Sequence, residues 1–307
     1  MSIGIGLGIA GFPFSDAQAF LKWIDLCETS GVDSVWFSER LVSMSPALEP
    51  IVTFGLVAGR TERLKFGMNA IVLPLRDPLV LAKQCATLDF LSGGRLLPAF
   101  GVGSDTSPEF RSTGRKPAGR GQRSDEMIQI MSRLWSEEHV SFEGKHFQYE
   151  DVTISPRPVQ QPLPVWIGGS SDAAVRRTAT LGTGWLGGVQ TPAQVAPVIR
   201  KIRAATAEAG RTIDDDHYGA GFPFRFGSFD EPVVERNARA YSRVGEGLDP
   251  REYMGVGGAD EIGVRAEEYI AAGVSKFVLR PIADSDAEMM AQTRQLVEEV
   301  VPRFRGR

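Results

Sequence analysis

The sequence predicts an α/β protein built as a (β/α)8 barrel. Three observations in the 307 residues predict it. Short apolar runs rich in Ile, Val, Phe and Trp alternate with segments of helical periodicity. The alternation recurs eight times. No break in composition divides residues 1–307, so a single domain is expected rather than two joined by a linker. A doubly wound parallel sheet is the alternative that the same alternation allows.

Each element has a local reason. Residues 3–9 form an Ile- and Gly-rich strand, and Ser15 or Asp16 can cap a helix reaching Ser30. Phe20, Trp23, Ile24 and Cys27 give that helix one apolar face, and Gly31 stops it. A strand follows at 32–37, a helix at 49–60 and a strand at 64–72. Pro78 opens the next helix, with Leu81, Cys85, Leu88 and Leu91 at helical spacing; Ser92-Gly93-Gly94 closes it before a fourth strand at 95–101.

The long polar stretch 102–120 is an insertion after strand four, and structureless loops of that length usually serve function. A helix over 122–136, a β-hairpin over 140–149 and four prolines (Pro156, Pro158, Pro162, Pro164) lead into strand five at 165–168. Helix 172–181, strand 184–187, helix 192–209 and strand 217–227 continue the alternation. The segment 230–258, with a helix at 233–243, is a second insertion, after strand seven. Helix 260–272, strand eight at 276–279 and a helix over 286–304 complete the chain.

Composition excludes several function classes. Cys27 and Cys85 form no CxxC, so neither a disulfide framework nor a cysteine zinc site is expected; both sit on apolar helix faces as buried thiols. His139, His146 and His217 lack HxxxH spacing, so no metal is predicted. A formal net charge of −4 gives no basic footprint for nucleic acid. No apolar run is long enough to span a bilayer and no leader-like N-terminus is read, so no membrane association and a cytoplasmic location are expected.

Gly6-Leu7-Gly8-Ile9-Ala10-Gly11 matches GxGxxG after a strand. A dinucleotide fingerprint needs its third glycine within the helix that faces the pyrophosphate. Here Phe12-Pro13-Phe14 intervenes and the helix starts only near Ser15, so the glycines are instead expected to leave room for a ligand over strand one.

A larger set of motifs resembles the bacterial luciferase-like monooxygenase superfamily. The first block is Thr61-Glu62-Arg63-Leu64-Lys65-Phe66-Gly67, then Leu73-Pro74-Leu75-Arg76-Asp77-Pro78, Thr87-Leu88-Asp89, Leu91-Ser92-Gly93-Gly94-Arg95 and Gly101-Val102-Gly103. Leu134-Trp135 with Phe142-Glu143-Gly144 is the second. Pro158-Val159-Gln160, Ile167-Gly168-Gly169 and Gly182-Thr183-Gly184-Trp185 form the third. Order and spacing, over nearly the whole chain, carry the resemblance. It implies a barrel that binds FMN, or the deazaflavin coenzyme F420, at the C-terminal ends of its strands.

The resemblance also assigns residues. Gly168, Gly169, Ser170 and Ser171 lead from a strand into a helix, where backbone N–H groups and the helix N-terminus favour a phosphate; a plain capped turn is the alternative. In the family a non-proline cis peptide lies behind the flavin, by position at Asn69–Ala70. Gly187 and Gly188 match the segment lining the cofactor tail. Arg280, at the end of strand eight, reads as facing a ligand, as a phosphate, substrate or flavin contact, and is counted with the cofactor-binding residues. Many relatives carry a histidine where this chain has Arg40, and an arginine is a poor general base; it can hold a carboxylate, stabilise a flavin anion, or pair with Glu39 or Glu49 at the rim. Glu109, in the long loop, is a second candidate catalytic residue, with a solvated loop charge as its alternative. Arg120 and Arg123 oppose the dipole of the helix they start and so call for a ligand or carboxylate partner.

The reading is therefore an oxidoreductase using reduced FMN and oxygen on a small organic substrate, with a separate flavin reductase and a homodimer as partners. Its rivals are an F420-dependent hydride-transfer enzyme, a flavin-binding protein without catalysis, and a barrel lyase or isomerase acting on a sugar phosphate.

Overall fold

Gly4–Ile9 forms β1, buried along nearly its whole length, in a computed structural model that describes residues 2–242 and 247–306. Asp16 caps α1 (Ala17–Thr29) by accepting the Ala19 N–H at 2.8 Å, and the apolar face predicted for this helix is its buried face. β2 (Ser34–Phe37) is followed by α2 (Pro50–Arg60), capped by Glu49. Next come β3 (Lys65–Met68), β4 (Ile71–Val72) and α3 (Pro78–Ser92). Asp77 caps α3, and Gly93 ends it at φ 67°, a left-handed turn that glycine takes without a Cβ penalty.

Two predicted strands are interrupted. The stretch 64–72 divides at Asn69–Ala70. The stretch 95–101 divides into β5 (Leu96–Leu97) and β6 (Ala99–Gly101) around Pro98, which has no N–H to give the ladder. The polar stretch after β6 contains a short helix, α4 (Pro108–Ser112), and α5 (Arg120–Ser136) starts two residues earlier than predicted. β7 (Val140–Glu143) and β8 (Gln148–Val152) pair antiparallel as the expected hairpin. β9 (Trp166–Gly168), α6 (Asp172–Leu181), β10 (Gly184–Leu186) and α7 (Pro192–Glu208) follow.

Strand seven is also two pieces, β11 (Tyr218–Ala220) and β12 (Pro223–Phe226). The segment after it holds α8 (Pro232–Ser242), α9 (Pro250–Tyr253) and a strand that periodicity did not reveal, β13 (Gly255–Gly257), paired with β12. The predicted end of that first helix, Arg243, lies outside the described residues. α10 (Ala259–Ala271), β14 (Lys276–Pro281) and α11 (Asp286–Gln295) complete the order; beyond Gln295 the expected helix continues as π and 3-10 turns.

The strands other than the hairpin make one curled parallel sheet; ten follow the order β4-β6-β9-β10-β11-β14-β1-β2-β3-β5, and β12, paired with β14 and β13, branches from it. Its two ends belong to the same stretches of chain: β3 pairs with β5, and β4 with β6. Because every pairing is parallel, all strands point their C-terminal ends to one rim, and ligand sites of such sheets lie there. The buried faces are large: Trp36, Trp166, Trp185 and Phe100 are each at most 2% exposed. A Cβ on Gly67 would lie 2.3 Å from the Trp36 ring, and one on Gly8 would lie 2.6 Å from Val278 Cγ1. Gly8 thus admits a neighbouring side chain as well as bordering a cavity. Both cysteines are buried free thiols. No helix among the described residues is long and apolar enough to cross a membrane.

Candidate functional site

The break between β3 and β4 is a cis peptide at Asn69–Ala70. It places Asn69 and Ala70 at the C-terminal rim beside the ends of β6, β9 and β10. Together these bound a cavity of about 560 Å³, lined by Asn69, Ala70, Val72, Gly101–Gly103, Gly168–Ser170 and Leu186–Gln190. Of the residues assigned to a cofactor, Asn69, Ala70, Gly168, Gly169, Ser170, Gly187 and Gly188 meet here. Ser171 does not line it, being occupied as the cap of α6, where its hydroxyl accepts the Ala174 N–H at 3.2 Å.

The local geometry explains the openness of the wall. Gly169 has φ 107°, which few other residues adopt, and its carbonyl accepts the Trp185 indole N–H at 2.8 Å. The Ser170 hydroxyl donates to Gln190 Oε1 at 2.8 Å, joining the ends of β9 and β10. No atom lies within 4 Å of the place a Cβ would take on Gly188. The backbone N–H of Asn69 donates to Phe37 O at 2.9 Å, and its side-chain amide has no partner among the described residues. The N-terminus of α6, just beyond Ser170, adds positive potential.

Among the described residues, no titratable side chain lines this cavity. Its wall is glycine backbone, apolar side chains, one hydroxyl and two carboxamides. Such a wall binds, orients and excludes water, but holds no acid, base or strong nucleophile.

Arg280, also counted with the cofactor residues, lies apart from them, in a second cavity of about 390 Å³ between β1, β14 and α8. The two cavities flank one apolar cluster. Val189, on the wall of the first, and Tyr241 pack against a cluster that includes Val233 and Ile282; Tyr241, Val233 and Ile282 are on the wall of the second.

Arg40 is exposed, lines neither cavity and makes no hydrogen bond or ion pair among the described residues. The rim pairing imagined for it belongs to Arg76. Arg76 bonds both Glu39 and Glu49, and Glu39 also accepts the Val72 N–H at 2.7 Å. Burial pushes the Glu39 carboxyl above the usual range against the opposing pull of Arg76. Glu109 lines neither cavity; its carboxylate accepts the Leu41 N–H at 2.7 Å and the Ser107 hydroxyl at 3.0 Å. Arg120 does have a carboxylate partner, Asp105, and Arg123 donates to Lys116 O at 2.7 Å.

No histidine lines either cavity. His217, with Asp214 and Asp216, brings ligand atoms within 4.8 Å of one another, but this partly exposed group precedes β11 and so sits at the opposite rim of the sheet. Sequence reasoning did not single out Gln190, Arg76 or Asn237. Gln190 follows Gly187-Gly188 closely enough to be reached from that motif; Asn237 sits in a polar helix with nothing to distinguish it.

Comparison with known proteins completes the picture. A family model described as luciferase-like monooxygenase matches residues 6–299. An uncharacterized protein of Mycobacterium tuberculosis is 34% identical over 168 residues, 54% of this chain and 57% of that protein. The match therefore spans little more than half the length of that relative. An F420-dependent glucose-6-phosphate dehydrogenase of Microbacterium testaceum is 27% identical over 321 residues, covering 92% of each. Among solved structures, the monooxygenase RslO1 from Streptomyces bottropensis superposes with a TM-score of 0.85 at 20% identity, covering 98% of this chain and 100% of that one. At that identity the superposition speaks for the fold.

Proposed function

This chain belongs to the luciferase-like monooxygenase family, and from that membership we propose that it is an oxidoreductase whose flavin-type cofactor lies in the cavity at Asn69–Ala70, with FMN as the first choice. One observation carries the reading: the 560 Å³ cavity at the C-terminal rim has no acid, base or strong nucleophile among its described lining residues and is walled by glycine backbone, as suits a ligand that brings its own chemistry.

The residues present fit such a group. The open position at Gly188 and the left-handed turn at Gly169 leave backbone bare along one wall, and the α6 N-terminus favours an anionic tail. The free Asn69 amide can bond the edge of a planar ring, while Val72, Val102, Leu186 and Val189 keep water away. Bound FMN supplies redox chemistry, with oxygen as the partner that a monooxygenase requires. Arg40 and Glu109 belong to the rim: Glu109 holds the backbone at Leu41 in place. We read the curled sheet as one (β/α)8 barrel with insertions after strands four and seven; the double pairing of β3-β4 with β5-β6 supports closure.

A second reading, hydride transfer with F420, is favoured by the likeness to an F420-dependent dehydrogenase over 92% of the chain. Titration of the protein with FMN and with F420, followed by fluorescence and absorbance, tests both. Saturable binding of FMN supports the first reading, binding of F420 alone selects the second, and binding of neither discards both.

A further inference from the structure

Two residues on the wall of the second cavity, Arg280 and Asn237, each carry a buried polar atom without a partner among the described residues. These atoms are Arg280 Nη1 and Asn237 Oδ1. No other atom of the Arg280 guanidinium is bonded or ion-paired among the described residues. Asp284, on the same wall, is paired with Arg236. Buried polar atoms are overwhelmingly paired in native proteins, and a buried cation without a counter-ion is costly. A partly buried guanidinium that lines a cavity and has an unpaired N–H is therefore suited to an anion.

We propose that this cavity is the substrate subsite and takes a small organic acid, its carboxylate on Arg280 and Asn237 and its apolar body against Phe12, Val233, Ile282 and Met289. This rests on the larger cavity being the cofactor site. The fork of a guanidinium matches the two oxygens of a carboxylate, and it is always charged. The Asn237 carboxamide, turned half a revolution, presents its N–H to the same head group. Tyr269 lies between the two walls: its hydroxyl donates to Gln190 O on the wall of the first at 2.5 Å, and the charge of Arg280 acts on it.

Calorimetric titration of the cofactor-loaded protein with benzoate, and with its neutral isostere benzamide, tests the assignment. Benzoate is expected to bind at least about tenfold more tightly than benzamide. Arg280→Gln and Asn237→Leu should each weaken benzoate by about tenfold or more, leaving cofactor affinity unchanged. Arg280→Lys, which keeps the charge but loses the fork, serves if the Gln variant does not fold; it should lose part of the affinity. Equal binding of the two probes, failure of benzoate and hexanoate to bind the wild type at about 10 mM, or benzoate binding indifferent to both Arg280 variants overturns the proposal. So does loss of cofactor affinity in Arg280→Gln, which would move Arg280 to the cofactor. If the wild type binds neither FMN nor F420 yet takes benzoate through Arg280, the acid site stands and the flavin reading falls.

Discussion

Glu39 and Arg76 form an ion pair in which the Glu39 side chain has no exposure to solvent. Arg76 also holds Glu49, the cap of α2, at 2.6 Å, and the other Glu39 oxygen takes the Val72 N–H. One guanidinium thus ties together the end of β2, the start of α2 and the wall of the larger cavity. Removing one member of a buried pair leaves the other charge desolvated and alone. Arg76→Met is expected to destabilise the protein by about 3–5 kcal/mol in urea denaturation. Adding Glu39→Gln should recover part of that loss, because the two residues are coupled; strictly additive losses would show that the pair is not a unit.

Arg225 gives a pH-dependent counterpart. Buried itself, it donates to Glu231 at 2.6 and 2.8 Å and to Glu288 at 3.2 Å, pinning the segment after β12 to the start of α11. Those hydrogen bonds hold both carboxyls below the usual glutamate range. The unfolded chain then binds more protons than the native one between the folded values and about 4.3. The stabilisation is fully present above that pH and is lost as pH falls through the folded values. Both carboxylates are partly exposed, so the effect is modest. Arg225→Gln should flatten the fall in urea midpoint between about pH 6 and about pH 3. An unchanged slope would show that Arg225 does not set it.

The motifs that carry the family resemblance turn out to be brackets. Arg95 is buried and donates to Thr61, Leu64, Ala58 and Ser92 oxygens beneath the sheet. Arg63 donates to the carbonyls of Cys27, Glu28 and Val32. The Glu28 carboxylate accepts the N–H groups of Glu62, Arg63 and Leu64. Asp89 accepts both the backbone and side-chain N–H of Gln160. Their spacing was readable because each side chain answers a fixed backbone target. The glycine runs were readable for a similar reason: they end strands, and strand ends share one rim. What escaped depends on contacts distant in sequence. Arg280 shares a wall with Asn237 only because the segment after strand seven folds back over β1, and no local pattern in 230–258 encodes that. Arg40 stands next to a buried acid, but the partner of that acid lies 37 residues further on.

Gly188 offers a test of the larger cavity that spares the fold. Its side-chain position is open, and its backbone needs no left-handed conformation, unlike that of Gly169. Gly188→Leu should leave the melting temperature within a few degrees of wild type while weakening FMN or F420 binding by about tenfold or more. Unimpaired binding in a folded Gly188→Leu protein would place the cofactor elsewhere.

Arg40 decides whether this chain has an acid–base residue at the end of strand two. An arginine stays protonated across the working pH range and so contributes no limb to a pH–rate profile. The structure places it in solvent, outside both cavities. Arg40→Ala is therefore expected to change the rate of cofactor reoxidation by less than about tenfold, with an unaltered pH profile. Arg40→His is the sharper variant, since an imidazole facing the reacting edge would add a limb near its ordinary value of about 6.5. With residue 40 at the rim, no such limb should appear. Its appearance would bring residue 40 to the reacting group, and would mean that the segment between β2 and α2, held at Leu41 by Glu109, closes over the cavity when the cofactor is bound.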